Sequence, residues 1–166
     1  TECNIDLPLR SDLPRRDDLL TEQAHWQAEE NAAIAAGDDH RAREARAMAE
    51  RATRRLTRVG HLPTNGQLPY RVKLWRTGDA IWVPLNGEHY NVLQTELRKR
   101  FPELILVIGT LANGSDVWYL PDADSYGKGL YQEEASILAR GSLEMLINAL
   151  EHSIRELIAT PVESAS

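Results

Sequence analysis

The sequence has little cysteine and no long apolar run, and each lack excludes a class of protein. Cys3 is the one cysteine among the 166 residues, so disulfides within the chain and zinc sites built from cysteines are excluded. The longest apolar run, from Leu104 to Leu111, is far shorter than the roughly 20 residues that a membrane-spanning helix needs. A nucleophile elbow, a phosphate-binding glycine loop and an HExxH motif are also missing. Motif scanning alone therefore points to none of these enzyme classes.

Positive charge is also in short supply. The net charge of −6 argues against a general nucleic-acid binder. Seven arginines do lie between Arg41 and Arg58, on a predicted helix where a solvated basic face is the common explanation. Binding of phosphate or nucleic acid through this stretch therefore ranks last among the functional hypotheses, and we expect no nucleic-acid partner.

Apolar residues are plentiful enough for one folded domain. They make up 42% of the chain, which is sufficient for a buried core at this length. We expect residues 1–166 to form a single α/β domain, itself a fragment of a larger catalytic domain, with residues 12–59 as a helical hairpin inserted into it. Because residue 1 is threonine rather than methionine, the lack of a visible signal peptide leaves the compartment open.

The inserted segment has the pattern of two antiparallel helices. Pro14 suits a first helical turn, Gly37 ends the first helix, and Asp38 or Asp39 caps a second helix that reaches Val59. Small or apolar residues repeat at spacings of three and four along both helices, which predicts a closely packed seam. The predicted seam residues are Leu20, Ala24, Ala28 and Ala32 in the first helix and Ala45, Ala49, Ala52, Leu56 and Val59 in the second. The main interpretation is a structural or oligomerising arm.

The rest of the chain alternates strands and helices. This order predicts an α/β (α+β) fold with a mixed sheet and flanking helices. Alternating and continuous apolar patterns predict the strands, and an apolar stripe predicts the last helix. The predicted strands are residues 4–10, 70–76, 80–85, 104–111 and 117–120, and the predicted helices are residues 89–100 and a final helix capped by Ser142. Because a turn at residues 77–79 separates them, strands 70–76 and 80–85 are predicted to form a β-hairpin.

Glu88 is the first residue that could carry chemistry. It follows an apolar strand and a glycine at the junction into a predicted helix. Ligands of α/β folds collect beyond the carboxyl ends of strands, so a carboxylate there can meet a metal or a substrate. A helix N-terminal acid that favours the dipole is the ordinary alternative. His89 beside it is a weaker candidate, because neighbouring side chains diverge.

A second group of candidates surrounds the glycine-containing loop after the buried strand. It comprises Asn113, Tyr119, Tyr126 and Tyr131. Aromatic clusters of this kind are usually packing, and loop tyrosines usually keep one edge in water. From chemistry alone these residues are expected in the core or at its rim.

Three short segments together resemble a known enzyme family. They are Trp-Val-Pro-Leu-Asn-Gly-Glu at residues 82–88, Leu-Ala-Asn-Gly at 111–114, and Tyr-Leu-Pro-Asp at 119–122, which is followed by Tyr126 and by Gly-Leu-Tyr at 129–131. Their order and spacing, with Tyr119 and Tyr131 twelve residues apart, are similar to the C-terminal part of the catalytic domain of neutral/alkaline ceramidases, including the bacterial type. The likeness covers nearly the whole chain and is most specific from Ala80 to Ala135.

The resemblance implies a zinc-dependent amidase that acts on a lipid amide such as an N-acyl sphingoid base. In that family two histidines, a glutamate and a tyrosine hold the zinc. Carried over by position, Glu88 corresponds to the zinc glutamate and Tyr119 to the zinc tyrosine. Tyr131 corresponds to a tyrosine that can hydrogen-bond the polarised carbonyl. The resemblance also favours a secreted or periplasmic location.

The chain departs from the family pattern at identifiable places. Asn86 stands where the family usually has proline, and Gln132-Glu133-Glu134 replaces a shorter continuation. None of the five histidines has the context of the family's zinc histidines, which lie in the N-terminal half. We therefore expect this chain to be inactive alone and to bind zinc poorly. Its expected partner is the missing N-terminal half of the catalytic domain. We also expect self-association through the hairpin or an exposed sheet edge. The alternative is a non-catalytic interaction or oligomerisation module.

Overall fold

The computed structural model describes residues 1–160, which have the predicted α+β fold with mixed sheets and an antiparallel helical hairpin. The chain divides into two compact units. One is the hairpin unit, Asp12–Thr64, and the other, the α/β unit, combines Thr1–Ser11 with the chain from Asn65 onward. None of the helices in the described range has the length and apolarity needed to cross a bilayer.

The hairpin unit consists of helices α1 (Arg16–Ala35) and α2 (Asp39–Val59), which pack against each other. The predicted cap is present, because the Asp38 side chain accepts a hydrogen bond from the backbone N–H of Arg41 at 3.0 Å. Arg46 Nε lies 2.7 Å from Glu30 and Arg55 Nη1 lies 3.1 Å from Glu22. Part of the positive charge of α2 is therefore paired with glutamates of α1.

The predicted seam is right for much of α2 and wrong for the three alanines of α1, whereas Leu20 is half-buried. Ala45, Ala49 and Ala52 of α2 are buried, whereas Ala24, Ala28 and Ala32 of α1 are exposed. The buried residues of α1 are instead Leu19 and Ala33, and Trp26 lies half-buried between them in the chain. The face of α1 was mispredicted because its half-buried glutamates pair with arginines of α2, so apolar spacing alone could not identify the contact side.

The α/β unit begins with an antiparallel pair of strands, β1 (Glu2–Pro8) and β2 (Gln67–Lys73). Their alternation buries Cys3, Leu7, Tyr70 and Val72. Among these, Tyr70 is one of the largest fully buried side chains. The sequence suggested that residues 70–76 pair with residues 80–85, but most of that stretch pairs with β1 instead. The contact with the β1 end of the chain extends to Leu74, whose backbone N–H donates to the carbonyl of Thr1 at 2.8 Å, and β3 begins only at Trp75.

Three further strands form a second sheet with both parallel and antiparallel pairs. Strand β3 (Trp75–Thr77) pairs antiparallel with β4 (Ala80–Pro84), so the predicted hairpin exists in this shorter form. After β4 come a two-residue strand, β5 (Glu88–His89), and helix α3 (Val92–Arg100), and strand β6 (Ile105–Gly109) then pairs parallel with β4. The helix begins three residues later than predicted because His89 belongs to β5.

The remaining elements complete the α/β unit. Strand β7 (Tyr119–Leu120) pairs parallel with β5, and a 3₁₀ turn covers Ala123–Ser125. Two helices follow, α4 (Tyr131–Ala135) and α5 (Ser142–Ala159). Helix α5 packs on β1 through the predicted apolar stripe, whose buried members are Leu143, Leu146, Ile147, Leu150 and Ile154.

One face of the second sheet carries exposed apolar side chains. Trp75 and Trp82 pair across β3 and β4, and their rings stack 6.2 Å apart with an angle of 8° between the ring planes. They are 43% and 40% exposed, and Ile105 on the parallel strand is 58% exposed. Large exposed apolar side chains that lie together on a surface often mark a site of interaction.

Candidate active site

The short parallel pair of β5 and β7 brings two of the predicted site residues side by side. Glu88 and Tyr119 are partners in its register, and paired residues on adjacent strands project to the same face. The backbone N–H of Glu88 donates to the carbonyl of Trp118 at 2.6 Å, which fixes the spacing of the two strands. Glu88 is exposed and Tyr119 is half-buried, so an acidic and a phenolic oxygen donor share one accessible side.

Tyr131, the third predicted residue, joins this pair from the start of α4. Its ring meets the ring of Tyr119 edge to face, with centroids 5.8 Å apart and an angle of 72° between the planes. The Tyr131 side chain is 58% exposed, so its ring is open to solvent beside Tyr119. The structure therefore brings Glu88, Tyr119 and Tyr131 together in one cluster, while their chemical roles stay predictions.

A tight turn of two residues, Asn86 and Gly87, delivers Glu88 to this cluster. Gly87 has φ of +85°, and a Cβ at this position would lie 2.7 Å from the carbonyl oxygen of Trp118. Only glycine fits, because both the left-handed backbone and the close approach exclude a side chain. Gly87 also donates to the carbonyl of Gly114 and accepts from the N–H of Leu111, each at 3.0 Å. The turn is thus bonded to the loop that precedes β7.

Tyr70 anchors the same turn from inside the core, a role that sequence reasoning missed. Its phenol oxygen accepts from the N–H of Asn86 at 3.0 Å and lies 2.9 Å from the Asn86 carbonyl, to which it donates. His89 Nε2 lies 3.0 Å from the same oxygen. The phenol satisfies all three groups when the His89 proton is on Nε2. Burial raises the pKa of Tyr70 and lowers the pKa of His89 to about 4, so both are neutral at neutral pH.

The hydrogen bonds of Asn86 show why a proline would not fit at this position. A proline has no N–H, so it could not make the hydrogen bond from residue 86 to Tyr70. The Asn86 side chain also donates to Asp116 and accepts from the N–H of Val117, both at 3.3 Å. Position 86 therefore connects the turn to the core on one side and to the loop before β7 on the other. No local sequence signal marks this role, because the partners lie 16 and about 30 residues away.

Two other candidates have structural roles away from the cluster. The Tyr126 hydroxyl donates to the carbonyl of Leu138 at 2.9 Å, and burial raises its pKa. The Asn113 backbone N–H donates to the carbonyl of Leu85 at 3.3 Å, and its side chain lies 3.4 Å from the Arg71 carbonyl. Tyr126 is half-buried, as the core-or-rim interpretation expects, whereas Asn113 is exposed. Tyr119 and Tyr131 form part of the candidate site.

The cluster contains oxygen donors of a kind that metal ions can bind. Zinc in catalytic sites is held by about three protein ligands with one open position. Glu88 and Tyr119 supply two oxygen donors, and within residues 1–160 no group of three or more histidine, cysteine, aspartate and glutamate side chains could hold a metal ion. Carboxylate and phenol oxygens are the donor types that a zinc site with a glutamate and a tyrosine would use. Two such donors are half of a set of four protein ligands.

Comparison of the chain with protein-family models, with curated proteins and with solved structures finds no match in any of the three.

Proposed function

We propose that this chain is the C-terminal portion of a zinc-dependent amide hydrolase that resembles neutral ceramidase, and that it supplies half of the catalytic site. The observation that supports this proposal most strongly is the juxtaposition of Glu88 and Tyr119, with the ring of Tyr131 at the edge of Tyr119. These residues come from three separate elements and meet on one accessible side. They are also the three residues that the family resemblance selects.

Each residue of the cluster has a distinct role in the proposal. The carboxylate of Glu88 and the phenol of Tyr119 would hold the zinc together with two histidines from the N-terminal half of the domain. A bound zinc ion supplies an activated water and polarises the scissile carbonyl. The Tyr131 hydroxyl would donate a hydrogen bond to the carbonyl oxygen as negative charge develops on it, which is the role of an oxyanion-hole donor.

The substrate in this proposal is a lipid amide of the N-acyl sphingoid class. Its cleavage transfers a water oxygen to the acyl carbon and releases the amine. This assignment rests on the family resemblance, as does a secreted or periplasmic location. The open position of Tyr131 beside the Glu88–Tyr119 pair gives such a substrate access from solvent.

The proposed partner is the N-terminal half of the catalytic domain. The exposed face formed by Trp75, Trp82 and Ile105 supports this part of the proposal, because exposed apolar side chains that lie together often mark a surface that a partner covers. Alone, the chain should bind zinc weakly, since two ligands are too few for a stable catalytic site.

The test compares this chain with the intact protein that also contains the N-terminal half. We expect the intact protein to contain zinc and to hydrolyse an N-acyl sphingoid substrate, and we expect the isolated chain to do neither. Glu88→Ala and Tyr119→Phe should remove metal and turnover, whereas the control Tyr90→Phe, a tyrosine outside the cluster, should keep both. An intact protein with neither zinc nor amidase activity would refute the proposal.

A second candidate function is an interaction module in which α1 mediates self-association. The exposed alanines at Ala24, Ala28 and Ala32, together with the 56% exposed Ile34, favour it. Small residues spaced by four allow a second helix to approach closely. Under this hypothesis Ala28→Glu weakens self-association in sedimentation experiments, whereas Arg43→Glu on α2 leaves it unchanged. Equal behaviour of the two variants would exclude this surface.

A further inference from the structure

A loop of three residues, Gly127-Lys128-Gly129, closes around the carboxylate of Glu133. Glu133 Oε1 accepts from the N–H of Gly127 at 2.8 Å, and Glu133 Oε2 accepts from the N–H of Gly129 at 3.2 Å. Both glycines have left-handed backbones, with φ of +83° and +68°, and this conformation turns successive N–H groups toward one anion. The carboxylate is therefore the centre around which the loop folds.

This loop lies just before Tyr131 in the chain. Leu130 follows the second glycine, and Tyr131 is the first residue of α4, only two positions before Glu133. The direction in which the Tyr131 ring leaves the backbone thus depends on how the loop is bonded to the helix. The ring meets the ring of Tyr119 and is 58% exposed, so packing alone constrains it little.

The far side of α4 is fixed by other groups. Arg10 Nη1 donates to the backbone carbonyl of Glu133, and the Tyr126 hydroxyl donates to the carbonyl of Leu138. These bonds hold the segment after Tyr131. Glu133 completes the arrangement by holding the segment before it. The hydrogen bonds to an ionised carboxylate are the strong kind, and the Gly127 N–H holds the pKa of Glu133 below its ordinary value.

We propose that Glu133 is a positioning residue for Tyr131: its carboxylate, bonded to the loop at Gly127 and Gly129, sets where the Tyr131 hydroxyl stands beside Tyr119. The catalytic part of this inference rests on the proposed function. The structural part does not, because it concerns only the loop and the ring. Glutamate at position 133 belongs to the stretch in which the chain departs from the family pattern.

The first arm of the test measures the structure of the chain itself by NMR. In Glu133→Ala we expect several-fold faster hydrogen exchange at the Gly127 and Gly129 amides, because both lose their acceptor. The NOE between the rings of Tyr119 and Tyr131 should weaken in the same variant. Glu133→Gln keeps one acceptor oxygen and should be intermediate, and it guards against a variant that fails to fold. Glu103→Gln, the same charge change at an exposed turn residue outside this loop, is the control and should match the parent.

The second arm measures catalysis in the intact protein. Glu133→Ala should lower kcat about 10- to 100-fold with KM nearly unchanged, because a misplaced group loses transition-state contacts rather than substrate binding. Glu133→Gln should recover part of that loss. Unchanged exchange and an unchanged NOE in Glu133→Ala would overturn the inference, and so would a parental kcat. If the parent intact protein shows no amidase activity, the proposed function fails, and the NMR arm alone then decides whether Glu133 positions the ring.

Discussion

Replacing Tyr70 by phenylalanine removes one buried oxygen on which the turn before Glu88 depends. Tyr70 is 2% exposed, and its hydroxyl bonds both backbone groups of Asn86 and approaches His89. Phenylalanine keeps the ring and its packing, so the change isolates the hydrogen bonds. In Tyr70→Phe the backbone N–H of Asn86 has lost its hydrogen-bond acceptor, and water reaches this N–H poorly.

The expected cost follows from these bonds. A buried donor left without a partner costs about 1–3 kcal/mol, and each further net hydrogen bond contributes about 1 kcal/mol. With the orphaned donor and the lost bond to the Asn86 carbonyl added, we expect Tyr70→Phe to lower the free energy of unfolding by about 2–4 kcal/mol. For a chain of this size that corresponds to a fall in Tm of about 4–16 °C.

Urea unfolding followed by circular dichroism measures this cost, with Tyr90→Phe as the matched control. Tyr90 lies in the same segment, and its hydroxyl makes no hydrogen bond within residues 1–160, so its removal should cost less than about 0.5 kcal/mol. Hydrogen exchange at the Glu88 amide should also become faster in Tyr70→Phe. Equal stability of the two variants, with unchanged exchange at Glu88, would refute the argument that Tyr70 holds the turn.

Three other outcomes follow from the same unit. Gly87→Ala should cost more than Gly78→Ala, because both have a left-handed backbone but only the Cβ at position 87 meets the Trp118 carbonyl; urea midpoints measure the difference, and equal costs would contradict the close approach. His89 binds fewer protons folded than unfolded between its folded pKa of about 4 and its unfolded value of about 6.5. Stability should therefore fall as pH drops through that window, and less so in His89→Gln; parallel pH profiles would contradict this. The isolated chain should self-associate through its exposed sheet face, and Trp82→Ser should weaken this in sedimentation equilibrium. A clean monomer at all concentrations would count against it.

The elements that local patterns predicted best are those with strong end signals or a single apolar face. The first helix of the hairpin ends at the turn marked by Gly37, the second begins after the cap at Asp38, and the last helix buries the predicted stripe. Each of these signals acts within one or two turns of helix, so neighbouring residues suffice to identify it. Helix α3 begins later than predicted because His89, the first residue of the predicted helix, belongs to a strand that pairs with a distant segment.

Only some residues of the candidate site could be predicted from local sequence patterns. Position after a strand singled out Glu88, and family resemblance singled out Tyr119 and Tyr131. The residues that hold them, Tyr70 and Glu133, carried no signal, because a buried tyrosine in a strand and a glutamate in a short helix both have ordinary explanations. Their importance appears only through hydrogen bonds to backbone groups elsewhere.

By itself, the sequence determined the fold class, the two-helix insertion, the positions of most strands and the absence of disulfides, because composition and short periodic patterns are local properties. Tertiary structure alone decided that β2 pairs with β1 across the whole hairpin insertion, that α1 turns its alanines outward, and that Glu88 stands beside Tyr119. Those outcomes depend on which distant groups satisfy each buried backbone donor and acceptor. The local periodicity of the sequence carries no information about which distant group becomes the hydrogen-bond partner.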